Sequence, residues 1–128
     1  MRALLDTSVL IAGRDGDQPA LPEEVTEFAV SVISVAELAV GVLLATDAEQ
    51  RSARLDALSV IERTYDPLAV TTDVAHVYAR LVAAVKAAGH NPRVMDTLIA
   101  ATAAANDCVV VTRDADFDAL TGVGVLRV

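Results

Sequence analysis

Five acidic side chains stand where chemistry could be done: Asp6, Glu37, Asp96, Asp114 and Asp116. Asp6 directly follows the short apolar run Ala3 to Leu5, and Asp114 and Asp116 follow a second run ending at Val111. Glu37 lies about one helical turn beyond a third run, and Asp96 falls early in a segment opened by Pro92. In open parallel sheets, ligands bind in the crevice at the carboxyl ends of the strands, so these separate acids are candidates for one pocket. Carboxylates about 5 Å apart repel by roughly 3 kcal/mol per pair at an effective dielectric near 20, and several gathered together need a compensating charge. A divalent cation supplies it. A donor set of oxygens alone, with no His or Cys, favours Mg²⁺ or Mn²⁺ over zinc. Such an ion polarises phosphoryl oxygens and lowers the pKa of bound water.

Each acid also has an ordinary structural reading. Asp6 before a helix is an N-cap, and Ser34-Val35-Ala36-Glu37 matches a capping box, in which the Glu reaches back to the amide of the cap. Asp96 complements a helix dipole, and Asp114-Ala115-Asp116 suits a turn. Their joint placement at strand ends argues for the shared site.

The elements that must position them follow from patterning. Ala3 to Leu5 reads as a strand, and Thr7 to Arg14 as a helix with Val9, Leu10 and Ile11 on one face. Gly13 to Pro22 is a loop rich in Gly, Asp and Pro, the one segment expected to be mobile. Phe28 to Ile33, with β-branched residues and only Ser31 polar, predicts a strand covered on both faces. Ser34 to Thr46 and Asp47 to Arg63 predict a helical hairpin. A short strand is expected at Leu68 to Val70, then a helix capped by Thr71 or Thr72 and ended by Gly89. Asn91 and Pro92 predict the cap and first turn of a further helix to about Asn106. Cys108 to Val111 and Val123 to Val128 complete the strands, with Gly122-Val123-Gly124 as the turn into the last. Nearly all-apolar strands alternating with helices predict a three-layer α/β/α fold around a mostly parallel sheet, in one domain over residues 1–128.

Composition narrows the functional classes. Hydrophobic residues make up 54% of the chain and only four are aromatic, so the core is aliphatic. The net charge of −8 repels a phosphate backbone in bulk, so any nucleic-acid role needs a local site with its own positive charge. The single Cys108 has no disulfide partner and is expected as a buried thiol in a cytoplasmic protein. Asp6 interrupts the first apolar stretch well short of a signal-peptide core, and Val30 to Ala45 is too short and carries Glu37, so no membrane association is expected. His76 and His90 lack triad or zinc partners, and Tyr65 and Tyr78 read as packing residues.

Four stretches, Leu4-Leu5-Asp6-Thr7-Ser8, Ile33-Ser34-Val35-Ala36-Glu37-Leu38, Asp96-Thr97-Leu98-Ile99-Ala100 and Val111-Thr112-Arg113-Asp114-Ala115-Asp116-Phe117, occur in the order found in PIN-domain ribonucleases. The chain resembles that family, and within it the VapC toxins of type II toxin-antitoxin modules. The resemblance implies a PIN-like fold and an endoribonuclease that leaves 5′-phosphate and 3′-hydroxyl ends. It implies Asp6 and Asp96 as principal metal ligands, Glu37 and Asp114 completing the catalytic quartet, and Asp116 assisting. Thr112 is implied to hold Asp114 through its hydroxyl. A homodimer and a cognate antitoxin, whose C-terminal segment lies in the groove near the acids, are further implications. Val35 to Leu44 and the helix of Leu55 and Leu58 offer apolar surface for that peptide, or else are core. Arg14, Arg93 and Arg113 flank the acids and could meet phosphate or the antitoxin.

Rival readings are a receiver-like signalling module, which also gathers acids around Mg²⁺, a non-catalytic binding protein, and a DNA-directed nuclease. The receiver reading wants a Lys after a late strand, and the only Lys, Lys86, lies in a predicted helix.

Overall fold

In the computed structural model, which describes residues 1–128, the strands are β1 (Arg2–Leu5), β2 (Glu27–Ala29), β3 (Val109–Thr112) and β4 (Val125–Arg127). They form one sheet in the order β2-β1-β3-β4, and every neighbouring pair is parallel. The helices are α1 (Thr7–Arg14), α2 (Val32–Leu43), α3 (Ala48–Thr64), α4 (Thr72–Ala87) and α5 (Val94–Ala105), with a short 3₁₀ helix at Ala115–Ala119. The chain leaves β1 toward β2 on one side and returns to β3 on the other. A topological switch point therefore lies between β1 and β3, the place where an open sheet leaves a crevice.

Side chains alternate across the two central strands, as strand geometry requires. Leu4 and Val110 point into a core with Val74, Leu81 and Val85 of α4, Ile99 and Ala100 of α5, and Phe117. Ala3, Leu5 and Val111 face the opposite way, against Val9 of α1, Val25 and Val30. Beyond α1, Leu38 and Val42 of α2 close on Leu58 of α3. Helices thus cover both faces of the sheet, giving the three layers expected. Cys108 is buried, and burial pushes its thiol pKa up. Tyr65 and Tyr78 pack against the core. Gly122 turns into β4 with φ of 85°, and a Cβ at Gly124 would lie 2.9 Å from Val109 Cγ1, so the approach of this chain to β3 requires glycine. No helix is long and apolar enough to cross a membrane.

Three boundaries depart from the sequence pattern. The strand expected over Phe28 to Ile33 stops at Ala29, and Phe28 is exposed because β2 is an edge strand. Ser31 then caps α2, its buried side chain accepting from Ser34 N–H at 3.1 Å. A capping hydrogen bond and an apolar helical face outweigh the strand preference of Val32, Ile33 and Val35. The strand expected at Leu68 to Val70 reduces to one parallel bridge between Ser31 and Leu68. α5 begins at Val94 rather than at Pro92: Arg93 occupies the cap position without a side-chain capping bond, and its carbonyl accepts Thr97 N–H at 2.9 Å. Asn91 and Pro92 belong instead to the connection after Gly89.

Ile99, with no exposure, joins α5 to the sheet. Ile99→Ala is expected to lower unfolding free energy by about 2–5 kcal/mol in urea denaturation, and a loss below about 1 kcal/mol would contradict the packing described.

Candidate metal and nuclease site

At the carboxyl ends of β1 and β3 the chain presents Asp6 and, two residues after Thr112, Asp114. The ladder continues across them, Asp6 N–H donating to the Val111 carbonyl at 2.9 Å. Asp6 occupies the cap position of α1, yet its carboxylate makes no capping bond. It is held from the other direction. Thr112 Oγ1 donates to Asp6 Oδ2 at 2.8 Å and Ser8 Oγ donates to the same oxygen at 2.7 Å. Each hydroxyl is itself oriented by an amide: Asp114 N–H donates to Thr112 Oγ1 and Arg113 N–H to Ser8 Oγ. Two amide-to-hydroxyl chains therefore converge on Oδ2 of a residue only 4% exposed. Oδ1 accepts no side-chain hydrogen bond.

Glu37 enters from α2, where in the second helical turn after the Ser31 cap its side chain reaches toward α1. Thr7 Oγ1 donates to Glu37 Oε1 at 2.8 Å. That uses the one proton of Thr7, so buried Ser34 Oγ, 2.9 Å away, donates to Thr7. The capping-box expectation is thus corrected. Ser31 is the cap, Ser34 lies inside the helix, and Glu37 is bound to α1 rather than to the amide of its own helix cap.

Asp96 sits in the first turn of α5. Its side chain is 18% exposed and its Oδ2 is screened from solvent without any hydrogen bond. Arg93 Nε lies 3.1 Å from that oxygen, close enough for ion pairing but outside hydrogen-bond geometry. Burial pushes the Asp96 pKa up from 3.8 to about 6; Arg93 opposes the rise, and the charges of Asp6, Asp114 and Glu37 add to it. Four acids from four separate chain segments thus share one electrostatic neighbourhood. They do not share one coordination sphere, since no three of them stand close enough together to hold an ion. All but Asp96 are drawn to donors elsewhere: Asp6 to Thr112 and Ser8, Glu37 to Thr7, and Asp114, like Asp116, to Arg93.

Asp114 caps the 3₁₀ helix, its Oδ1 accepting from Asp116 N–H at 2.9 Å, while Asp116 is exposed. Thr112 holds Asp114 through its hydroxyl, as the resemblance implied, but at the backbone amide and not at the carboxylate. It accepts from the Asp114 amide and donates to Asp6, because the hydroxyl on the last residue of β3 faces β1 across the ladder. Of the three arginines, only Arg93 touches the acids. Arg113 pairs with Asp17 of the loop after α1, and Arg14 pairs with Asp15. Ser8 and Thr7, which position Asp6 and Glu37, were legible only as small hydroxyl residues after an acid. Nothing in a linear pattern says which carboxylate such a hydroxyl will meet.

A cleft of about 220 Å³ beside Arg93 and Asp96 is walled by His90, Pro92, Thr97, Asp116 and Leu120. The larger cavity, about 470 Å³, lies elsewhere: an apolar groove between α1 and α3 lined by Val9, Leu10, Phe28, Val60, Ile61 and Tyr65, with Arg14 at its side. Leu58, Leu38 and Val42 are core, whereas Val40, Leu43, Leu44 and Leu55 stay exposed.

A parallel sheet with acids gathered at its switch point is an arrangement that suits metal-dependent phosphoryl chemistry. The PIN domain family model matches residues 3–123, and the chain belongs to the PIN-domain family. It is 38% identical over 128 residues to Ribonuclease VapC5 of Mycobacterium tuberculosis, covering 98% of this chain and 92% of that protein. It is 47% identical over 103 residues to Ribonuclease VapC8 of the same species, covering 78% and 88%. Among solved structures, VapBC-5 of Mycobacterium tuberculosis, a member of the VapBC family of toxin-antitoxin systems, superposes with a TM-score of 0.82 at 34% identity, covering 99% and 98% of the two chains. FitAcB from Neisseria gonorrhoeae gives 0.80 at 30% identity, covering 98% and 96%.

Two outcomes test this geometry. A folded-state pKa above the ordinary value means that folding favours protonated Asp96, so its contribution to stability falls as pH rises from about 4 to about 6 and stays lost above. In chelator, Asp96→Asn is therefore expected to be more stable than wild type at pH 8 by on the order of 2 kcal/mol and to lose that advantage by about pH 4, as read by thermal unfolding. A difference independent of pH would reject it. Thr112→Val strips Asp6 of one donor and strands the Asp114 amide, and is expected to cost about 1–3 kcal/mol in urea denaturation despite the matched shape.

Proposed function

We propose that this chain is the toxin of a toxin-antitoxin module, a metal-dependent endoribonuclease that hydrolyses RNA phosphodiester bonds, working in the cytoplasm as a homodimer built from one PIN domain over residues 1–128. The observation that carries the reading is the buried Oδ2 of Asp96, which has no hydrogen-bond donor and only the Arg93 guanidinium as an ion-pair partner, facing the field of Asp6, Glu37 and Asp114 at the switch point. A carboxylate oxygen without a donor in a negative neighbourhood suits a hard cation, and the all-oxygen donor set favours Mg²⁺ or Mn²⁺.

In this reading the acids, which stand apart in the metal-free chain, close on the ion as it binds: Asp6 and Asp96 would be the principal ligands, with Asp114 and Glu37 completing the set and Asp116 at its margin. A bound divalent cation supplies an activated water and charge stabilisation for the phosphoryl oxygens. The chain supplies the rest. Thr112 and Ser8 fix the Asp6 carboxylate in one orientation, so this one ligand is preorganised, its Oδ1 without a side-chain donor. Thr7, oriented by Ser34, holds Glu37 at the rim, where its free oxygen can accept a proton from attacking water. Arg113 and Arg93 lie on the approach to the crevice and suit RNA phosphates, offsetting the net charge of −8. The apolar groove between α1 and α3, with Arg14 beside it, suits the C-terminal segment of an antitoxin.

Asp6→Asn and Asp96→Asn are each expected to lower Mn²⁺-dependent RNA cleavage on the order of 100-fold or more while circular dichroism stays unchanged. Matched RNA and DNA oligonucleotides should be cut unequally, in favour of RNA. Full activity in either folded variant, or activity undiminished by chelator, would remove the assignment.

A further inference from the structure

Arg93 stands between the two halves of the site. Its Nε lies 3.1 Å from Asp96 Oδ2, its Nη1 lies 3.0 Å from Asp114 Oδ2, and the same nitrogen also contacts Asp116 Oδ2. One guanidinium thus spans three carboxylates carried by the first turn of α5 and by the segment after β3. No other cationic side chain pairs with these acids, since Arg113 is engaged by Asp17 and Arg14 by Asp15. The Arg93 side chain is 58% exposed and caps α5 without a side-chain bond, so it can swing into solvent at no cost to the core or the helix.

We propose that Arg93 is a built-in counter-ion that competes with a divalent cation for the oxygens of Asp96 and Asp114, so that loading the site displaces its guanidinium. The inference rests on the metal reading above and deepens it. A hard cation binds carboxylate oxygens directly at about 2.0–2.1 Å, inside the space a guanidinium occupies when it pairs with the same atom. Two cations sharing one oxygen also repel each other, so the arrangements exclude one another and the affinity for metal is set by the difference between them. Displaced, Arg93 remains tethered at the rim of the crevice with its donors free for a substrate phosphate. A clamp that merely held the acids together would act with the opposite sign, since its removal would let the ligands splay and weaken metal binding.

The test is Mn²⁺ binding to the full chain by titration calorimetry, checked by the loss of the free-ion Mn²⁺ paramagnetic resonance signal, with no substrate present. Arg93→Gln is expected to bind Mn²⁺ roughly fivefold tighter or more than wild type. Arg113→Gln, which removes the same charge from the Asp17 pair, is expected to stay within about twofold, because an exposed charge farther from the ion is screened. Equal or weaker binding by Arg93→Gln overturns the proposal, and so does equal tightening in both variants, which would reflect net charge alone. If neither wild type nor the variants bind Mn²⁺, the metal reading itself fails and takes this inference with it.

Discussion

Like charges gathered at the end of a sheet must be held there against their own repulsion, and most of what is distinctive in this molecule answers that demand. Asp6 is fastened by two hydroxyls that are in turn fixed by backbone amides. Glu37 is fastened by Thr7, and Asp114 and Asp116 by Arg93. Asp96 alone keeps a buried oxygen without a hydrogen-bond donor, and its burial raises its pKa. A buried charge without full compensation is tolerated in native structures chiefly where function requires it.

The scaffold makes such concentration possible because it is rigid where the acids attach. Asp6 follows β1 without an intervening residue, and its amide extends the β1 to β3 ladder. Thr112 is the last residue of β3, fully buried, so the hydroxyl that orients Asp6 cannot wander. Beneath them, Leu4 and Val110 bind the sheet to α4 and α5, while Leu5 and Val111 bind it to α1. The elements bearing Asp6, Asp96 and Asp114 are therefore anchored in contiguous cores, and Glu37 is tied to α1 through Thr7. Placement of this kind matters for phosphodiester chemistry, where positioning and electrostatic stabilisation do most of the work.

Membership in the PIN-domain family agrees with this architecture, and the acidic surface makes physical sense within it. A protein with a net charge of −8 has little bulk attraction for nucleic acid, so the function proposed above requires RNA to be captured by a local site. Low non-specific affinity of this kind also leaves the surface available to a protein partner. The exposed Val40, Leu43, Leu44 and Leu55 on the α2 to α3 hairpin and the groove between α1 and α3 provide apolar area for one.

The amino-acid sequence by itself determined the order of elements, the aliphatic core, the parallel sheet and the family, because apolar runs, helical periodicity and four ordered motifs are properties of a line of residues. It also marked which acids to watch, since each falls just beyond a strand or in a first helical turn. It did not determine where the edge strand yields to α2: Val30 to Val35 suits strand and helix alike, and the buried Ser31 cap decided between them. Nor did it determine the starting point of α5, which turned on the Arg93 carbonyl rather than on Asn91 and Pro92. Above all, the partners of the acids belong to the tertiary structure. Thr112 meets Asp6 from 106 residues away, Ser34 supports Thr7 rather than a helix end, and Arg93 reaches across to Asp114 and Asp116. A short polar side chain can bond to its own backbone or to whatever charge the fold delivers within about 3 Å, and only the packed chain chooses between them.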